Sequence, residues 1–257
     1  MELPHSRAIA PDLHLLDEVG STNAELVARA SAGNATDFTV VVTTNQTAGR
    51  GRLDRVWVAP AGRTIAVSVL LSAPGLELEK IGWMPLLAGL AMTRAVASLV
   101  DSHAVTLKSP HDVQEDGLKV SGLLTELIAL PRAVVVGAGL NLTMTPEELP
   151  TTTATSLTLT GVDEHDIVDR ALAAYLGQLR ALYDDYRASG FDPEVALREQ
   201  VASACSTIGQ RVRVELPDGT TLRGTAEGID SLGRLVVRDD SGLQAVAAGD
   251  VTHLRYE

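Results

Sequence analysis

The apolar run at residues 39–44, TVVVTT, leads directly into QTAGRGRLDRVW at residues 46–57. An unbroken β-branched run of this length reads as a buried strand, so the segment after it must emerge from the core as a loop. Gly49 and Gly51 allow that loop backbone conformations closed to other residues and close approach to a ligand. Arg50, Arg52 and Arg55 stand between and after them. Like charges at this spacing repel unless an anion sits among them, and guanidinium forks match carboxylate and phosphate oxygens. Trp57 closes the stretch with a flat apolar surface, and Pro60, Gly62 and Arg63 follow. The physical reading is an anion-gripping loop beside an apolar pocket wall; a solvated basic surface loop fits the same spacing. The formal net charge of −12 makes these arginines a positive island and argues against a general nucleic-acid binder.

A chain of 257 residues accommodates one large domain, or one with a small companion. Its core must be mostly Ala, Val and Leu, because hydrophobic residues make up 45% and aromatic residues only 3%. Cys205 is the single cysteine, so no intrachain disulfide forms, and at a domain boundary it reads as a small buried hydrophobe. The N-terminus lacks a signal peptide's apolar stretch, and no apolar run reaches spanning length. A cytoplasmic location is therefore expected.

Residues 1–11 show no clear pattern and read as a loosely held lead-in. Residues 13–19 read as a strand, followed by a helix capped by one of Ser21, Thr22 or Asn23, with Glu25 in its first turn and Gly33 past its end. Only one of the three can be the cap, which leaves the others to face a ligand. A strand is expected at 64–71, a scaffold helix at 81–100 and a short strand at 105–107. The stretch LKSPHDVQEDGLKVSG then places Lys108, His111, Asp112 and Lys119 around a hairpin whose turn is Asp116-Gly117. Lysines there can hold phosphates and a carboxylate between them can hold magnesium, although a solvated charged hairpin has the same composition. The strand at 132–142, RAVVVGAGLNL, carries Gly137 and Gly139, which in a strand interior mark the close approach of another group. Asn141 just beyond has an amide able to read a hydrogen-bonding edge.

A long amphipathic helix is expected at 163–187, with Ile167, Ala171, Leu172, Leu176, Leu179, Tyr183 and Tyr186 as its core stripe, and a shorter helix at 192–202. Beyond Gly209 the pattern changes to short strands near 211–215, 222–229, 235–237 and 243–247, separated by turn signals, which argues a small barrel. The expected division is 1–205 and 206–257. A barrel of ~50 residues is marginal alone, so it should pack on the first domain. The six histidines have no metal-ligand spacing. Dinucleotide-binding, Walker, GxSxG and HExxH motifs are absent from the sequence.

Taken together, STN at 21–23, QTAGRGRLDRVW at 46–57, LKSPHDV at 107–113, KVSGLLTE at 119–126 and VGAGLNL at 136–142 resemble the biotin protein ligases, in the family's order and over almost the whole chain. The resemblance implies an α/β (α+β) fold: a mixed sheet with helices like that of class II aminoacyl-tRNA synthetases and lipoate ligases, followed by an SH3-like barrel. It also implies a form without the N-terminal winged-helix repressor module that some members carry. The implied activity uses ATP to convert biotin to biotinyl-AMP, then transfers biotin to a lysine of a biotin carboxyl carrier protein. A lipoate or octanoate ligase or transferase, and a non-catalytic biotin-binding protein, are the alternatives.

Carried onto this sequence, the family pattern implies that Ser21, Thr22, Asn23 and Gln46 bind the polar head of biotin, with Trp57 as a wall of its pocket. Arg50, Gly51 and Arg52 lie over the carboxylate and phosphate, where Lys119 also reaches; Arg50, Arg52 and Lys119 are the catalytic candidates. Gly49, Arg55, Lys108, His111 and Asn141 are implied nucleotide contacts, and Asp112 a magnesium ligand with ATP. Ser109 and His111 depart from the family's usual KWPNDV, replacing an aromatic surface and a neutral amide. A carboxylase carrier domain is the implied partner, with no nucleic acid or membrane, and a homodimer is left open.

Overall fold

The computed structural model describes the chain except residues 52–54, 110, 130–131, 217, 248–252 and 257 and the side chains of 253–256. Strands β1 (Leu13–Leu16), β2 (Val40–Thr43), β5 (Thr64–Ser72), β6 (Val105–Lys108), β7 (Asp112–Glu115), β8 (Leu118–Ile128) and β9 (Ala133–Asn141) form a seven-stranded sheet in the order β1-β2-β5-β9-β8-β7-β6. Only the β1–β2 pair is parallel, so the sheet is mixed.

Both faces are covered, which explains why β2 and β9 read as continuous apolar runs rather than alternating ones. Val40, Val42, Val67, Val69, Val134 and Val136 face a core shared with α3 (Trp83–Ala97) and α4 (Ile167–Ala188). Val41, Leu70 and Val135 face the opposite side, where Leu26 and Ala30 of α2 (Thr22–Ser31) cover them. Ser21 is the N-cap of α2, its hydroxyl accepting from the Ala24 amide at 3.4 Å, and Gly33 takes φ +76° beyond the helix end. Every residue of the expected α4 stripe is buried, joined by Tyr175 and Leu182. The helix begins four residues later than expected, at Ile167, because Asp166 has φ +49° and cannot continue a helical turn.

Several elements were not anticipated. Residues 4–9 form α1 (Pro4–Ile9) rather than a loose lead-in. The Asp169 carboxylate on α4 accepts from the His5 amide at 2.9 Å, the Ser6 amide at 2.9 Å and the Ser6 hydroxyl at 2.6 Å, stapling the helix down. Residues 112–115, read as loop, are strand β7, joined to β8 by a turn with positive φ at both Asp116 and Gly117, the geometry that matches strand twist. A fifth strand, β14, also extends the C-terminal sheet.

That C-terminal unit is a five-stranded antiparallel sheet, β13-β12-β11-β10-β14, built from β10 (Arg211–Glu215), β11 (Thr221–Ile229), β12 (Leu235–Asp239), β13 (Gly242–Val246) and β14 (His253–Tyr256). Between the two sheets, the expected single helix at 192–202 is broken into α5 (Pro193–Ala196) and α6 (Arg198–Ala204). Val212, Val214, Ala226 and Val237 share one hydrophobic core with the large sheet, as a small sheet with little area of its own requires. Trp83 Nε1 donates to the Ser231 carbonyl at 2.9 Å. A Cβ on Gly82 would lie 2.6 Å from the Leu232 carbonyl oxygen, so this seam admits only glycine. Among the described residues, no helix is long and apolar enough to cross a membrane.

Candidate active site

The arginine loop starts as a ribbon. β3 (Gly49–Arg50) pairs antiparallel with β4 (Val56–Trp57), and the Gly51 amide donates to the Arg55 carbonyl at 2.7 Å. A side chain at position 49 would place Cβ 2.4 Å from the Trp57 carbonyl oxygen and 2.5 Å from Gln46 Nε2, so Gly49 serves the ribbon's closure. Arg52 lies outside the described residues. Arg63 turns away to pair with Glu148 at 3.4 Å.

Beneath the ribbon is a cleft of about 160 Å³. Ser21, Thr22, Asn23, Gln46, Arg50, Gly51, Arg55, Trp57, His111 and Lys119 all line it, together with Gly122, Gly137 and Gly139. Residues up to 118 positions apart in the chain thus meet because β5, β8 and β9 are neighbours in the sheet. The strand glycines act as expected. A Cβ on Gly139 would come within 2.6 Å of the Trp57 ring, and one on Gly137 within 2.2 Å of Asn23 Oδ1. These two positions are what let the tryptophan and the amide approach the sheet so closely.

The cleft's polar end is a closed hydrogen-bond network. Gln46 Oε1 accepts from the Thr22 amide at 2.9 Å and from its hydroxyl at 3.2 Å. Ser68, fully buried on β5, donates toward Thr22 Oγ1 at 2.8 Å and Asn23 Oδ1 at 2.6 Å. Asn23 Nδ2 donates to Glu126 Oε2 at 2.7 Å and to the Leu124 carbonyl at 3.3 Å. Arg50 also reaches Glu126, at 3.1 and 3.2 Å. Sequence reasoning assigned no role to Ser68 or Glu126. Their signal was present: a hydroxyl at the centre of TIAVSVLLS and a lone carboxylate inside LKVSGLLTELI. Polar residues in otherwise apolar strands need partners.

At the other end, Lys119 Nζ lies 2.7 Å from Asp112 Oδ1 and 6.0 Å from the centre of the Trp57 ring. Burial opposes ionisation of Asp112, but Lys119, His111 and Lys108 outweigh it and hold the carboxyl below the usual range. Lys108 stands opposite Asp112 in the β6–β7 register, outside the cleft lining. Ser109 is buried and its amide donates to Thr207 Oγ1 at 3.0 Å, while the Ser206 amide donates to the Leu107 carbonyl at 3.0 Å. The chain entering the C-terminal sheet thereby straps the 107–109 segment in place. Cys205, on the same strap, is buried.

Asn141 stands apart from the residues that line the cleft. Its Nδ2 donates to the Thr155 carbonyl at 2.8 Å in a buried setting, so this N–H anchors the 154–156 segment, and Asn141 does not line the cleft. Among the described residues, no group of three or more His, Cys, Asp or Glu side chains is arranged to hold a metal ion.

Residues 16–141 match the model of the biotin/lipoate A/B protein ligase family, and residues 207–254 that of the biotin protein ligase C-terminal domain. The biotin–[acetyl-CoA-carboxylase] ligase of Mycobacterium tuberculosis is 41% identical over 95% of this chain and 89% of its own length. The chain belongs to the biotin protein ligase family. The bifunctional ligase/repressor BirA of Bacillus subtilis is 31% identical, with 85% of this chain and 67% of that protein covered. Among solved structures, the Aquifex aeolicus biotin protein ligase in complex with biotin and ATP superposes with a TM-score of 0.76 at 26% identity, covering 95% of this chain and 99% of that one. Both sheets of the ligase fold described above therefore belong to a shared architecture.

Proposed function

We propose that this protein joins biotin to ATP as biotinyl-AMP and then transfers the biotinyl group to a lysine of a biotin carboxyl carrier protein. The observation that carries this reading is the single cleft in which a hydrogen-bond network, a tryptophan wall and Arg50, Arg55 and Lys119 converge, in a chain 41% identical to a biotin–[acetyl-CoA-carboxylase] ligase. The match of residues 207–254 to the biotin ligase C-terminal domain favours biotin over lipoate.

The chemistry asks for such a site. In the first step a biotin carboxylate oxygen bonds to the α-phosphorus of ATP while the bond to pyrophosphate breaks. Two anions must meet, so fixed cations are the main catalytic resource. Arg50, Arg55 and Lys119 supply them, with Arg52 added by the family pattern. The Thr22–Gln46–Ser68–Asn23 network is prearranged and presents polar atoms to the ureido head, and Trp57 over Gly139 covers the apolar part of the ligand. In the second step the carrier's neutral lysine amine attacks the mixed anhydride carbonyl and AMP leaves with the bonding pair. The protein holds the reactants in line and keeps water from the anhydride.

Magnesium entering with ATP needs only one or two carboxylates besides the phosphates. Asp112, kept ionised by its lysines, fits that role; the ion would neutralise phosphate charge. ATP as co-substrate supports a cytoplasmic setting. The transfer is tested by incubating the protein with biotin, MgATP and a purified carrier domain, followed by streptavidin blotting. Label on the carrier that disappears when its acceptor lysine is replaced supports the proposal; an unlabelled carrier contradicts it.

A further inference from the structure

Glu126 touches two parts of the cleft that have different tasks. One oxygen accepts from Asn23 at 2.7 Å, and both oxygens accept from Arg50 at 3.1 and 3.2 Å. Asn23 belongs to the network that faces the ligand's head, and Arg50 belongs to the ribbon that faces its anionic end. The Asn23 amide is fixed from the other side by Ser68 at 2.6 Å. The Arg50 contact is different in kind: its side chain is 48% exposed and that of Glu126 is 30% exposed. An ion pair this wet is weak and exchangeable, whereas the shorter contact from the buried Asn23 amide is more costly to break.

Resting on the biotin-ligase reading, we infer that Glu126 is a positioning residue that competes with the substrate carboxylate for Arg50 while holding Asn23 for the substrate's head. A carboxylate arriving in the cleft exchanges with Glu126 for the same guanidinium fork. Asn23 keeps its acceptor throughout, because the exchange breaks only the Arg50 contacts. Glu126 thus sets how much affinity Arg50 contributes, and it does so only for ligands that carry a negative charge.

The test titrates biotin and biotin methyl ester, without ATP, into the parent protein, Glu126→Gln and Glu126→Ala by calorimetry. Glutamine keeps an oxygen for Asn23 and removes the charge. Glu126→Gln should bind biotin about two- to fivefold more tightly, the factor that an exposed ion pair corresponds to, with the ester unchanged. Glu126→Ala should weaken both ligands, since Asn23 loses its acceptor. The gain should vanish when Arg50→Gln is already present, a coupling that independent sites lack. Unchanged biotin affinity, a gain for acid and ester alike, or a loss in Glu126→Gln equal to that in Glu126→Ala would each overturn the inference. If Glu126→Gln does not fold, Arg50→Gln alone decides: it must lower affinity for the acid more than for the ester, and equal effects overturn the inference. A parent protein that binds no biotin at all refutes the ligase reading instead.

Discussion

Substituting Gly137 by alanine should disable the polar end of the cleft through one added methyl group. The new Cβ would sit 2.2 Å from Asn23 Oδ1 and 2.8 Å from its Cγ, closer than a Cβ atom can approach either. Asn23 is not free to step aside, since Ser68 holds its oxygen at 2.6 Å and Glu126 its nitrogen at 2.7 Å. Displacing it forfeits one neutral hydrogen bond, worth ~0.5–1.5 kcal/mol, and one to a charged group, worth ~1.5–3 kcal/mol. The expected loss of unfolding free energy is their sum, about 2–4.5 kcal/mol, measured by urea denaturation. Biotin affinity should fall at least about tenfold, since one misplaced contact of ~1.4 kcal/mol suffices for that. The strain is specific to Asn23, so in an Asn23→Ala background the same glycine substitution should cost under ~1 kcal/mol. If the two substitutions are additive, the close approach of Asn23 is not what position 137 protects, and the reasoning fails.

Other outcomes follow from the same contacts. Asp169→Ala should release α1 and cost about 2–4 kcal/mol, read by denaturation and by new protease cleavage within residues 1–11. Burial works against the Asp169 charge, but the Ser6 and His5 donors prevail and lower its pKa; its stabilisation is therefore present above the unfolded-state pKa and lost as pH falls through the folded one, so parent and Asp169→Ala should converge in stability in acid. Glu115 behaves oppositely: burial raises its pKa against the pull of Thr160 and His103. Glu115→Gln should stabilise by about 1–3 kcal/mol at neutral pH, and the gain should disappear below the unfolded-state pKa, where the parent carboxyl is protonated too. Arg52→Ala should speed loss of biotinyl-AMP by roughly ten- to hundredfold, as expected for one charge-assisted contact; an unchanged dissociation rate in a filter assay would remove Arg52 from the site.

Local signals carried far in this chain. The Ser21-Thr22-Asn23 trio announced its helix because a cap is chosen within a few residues, although only the structure named Ser21 as the cap, and the α4 stripe was readable because its period is intrinsic to the helix. Gly137 and Gly139 signalled close approach, although only the fold named Asn23 and Trp57 as the approaching groups. What escaped was held by distant partners. The helix α1 has six residues and is stapled by an aspartate 163 to 164 positions away, so no window over its own sequence could reveal it. Ser68 and Glu126 reach the residues of the cleft only because β5, β9 and β8 lie side by side, Ser68 opposite Gly137 and Glu126 opposite Val135. The Asn141 anchor was hidden for the same reason: its partner, the Thr155 carbonyl, comes from a segment whose path the sequence does not dictate.

The central claim is that the cleft activates a biotin carboxylate with ATP. It is tested most directly by the release of pyrophosphate from MgATP, followed enzymatically, with biotin, lipoate or no acid added. Release that depends on biotin, is absent without an acid and is far slower with lipoate is the predicted result, with Lys119→Ala sharply reduced. No release with biotin, or release at the same rate with lipoate, would contradict it.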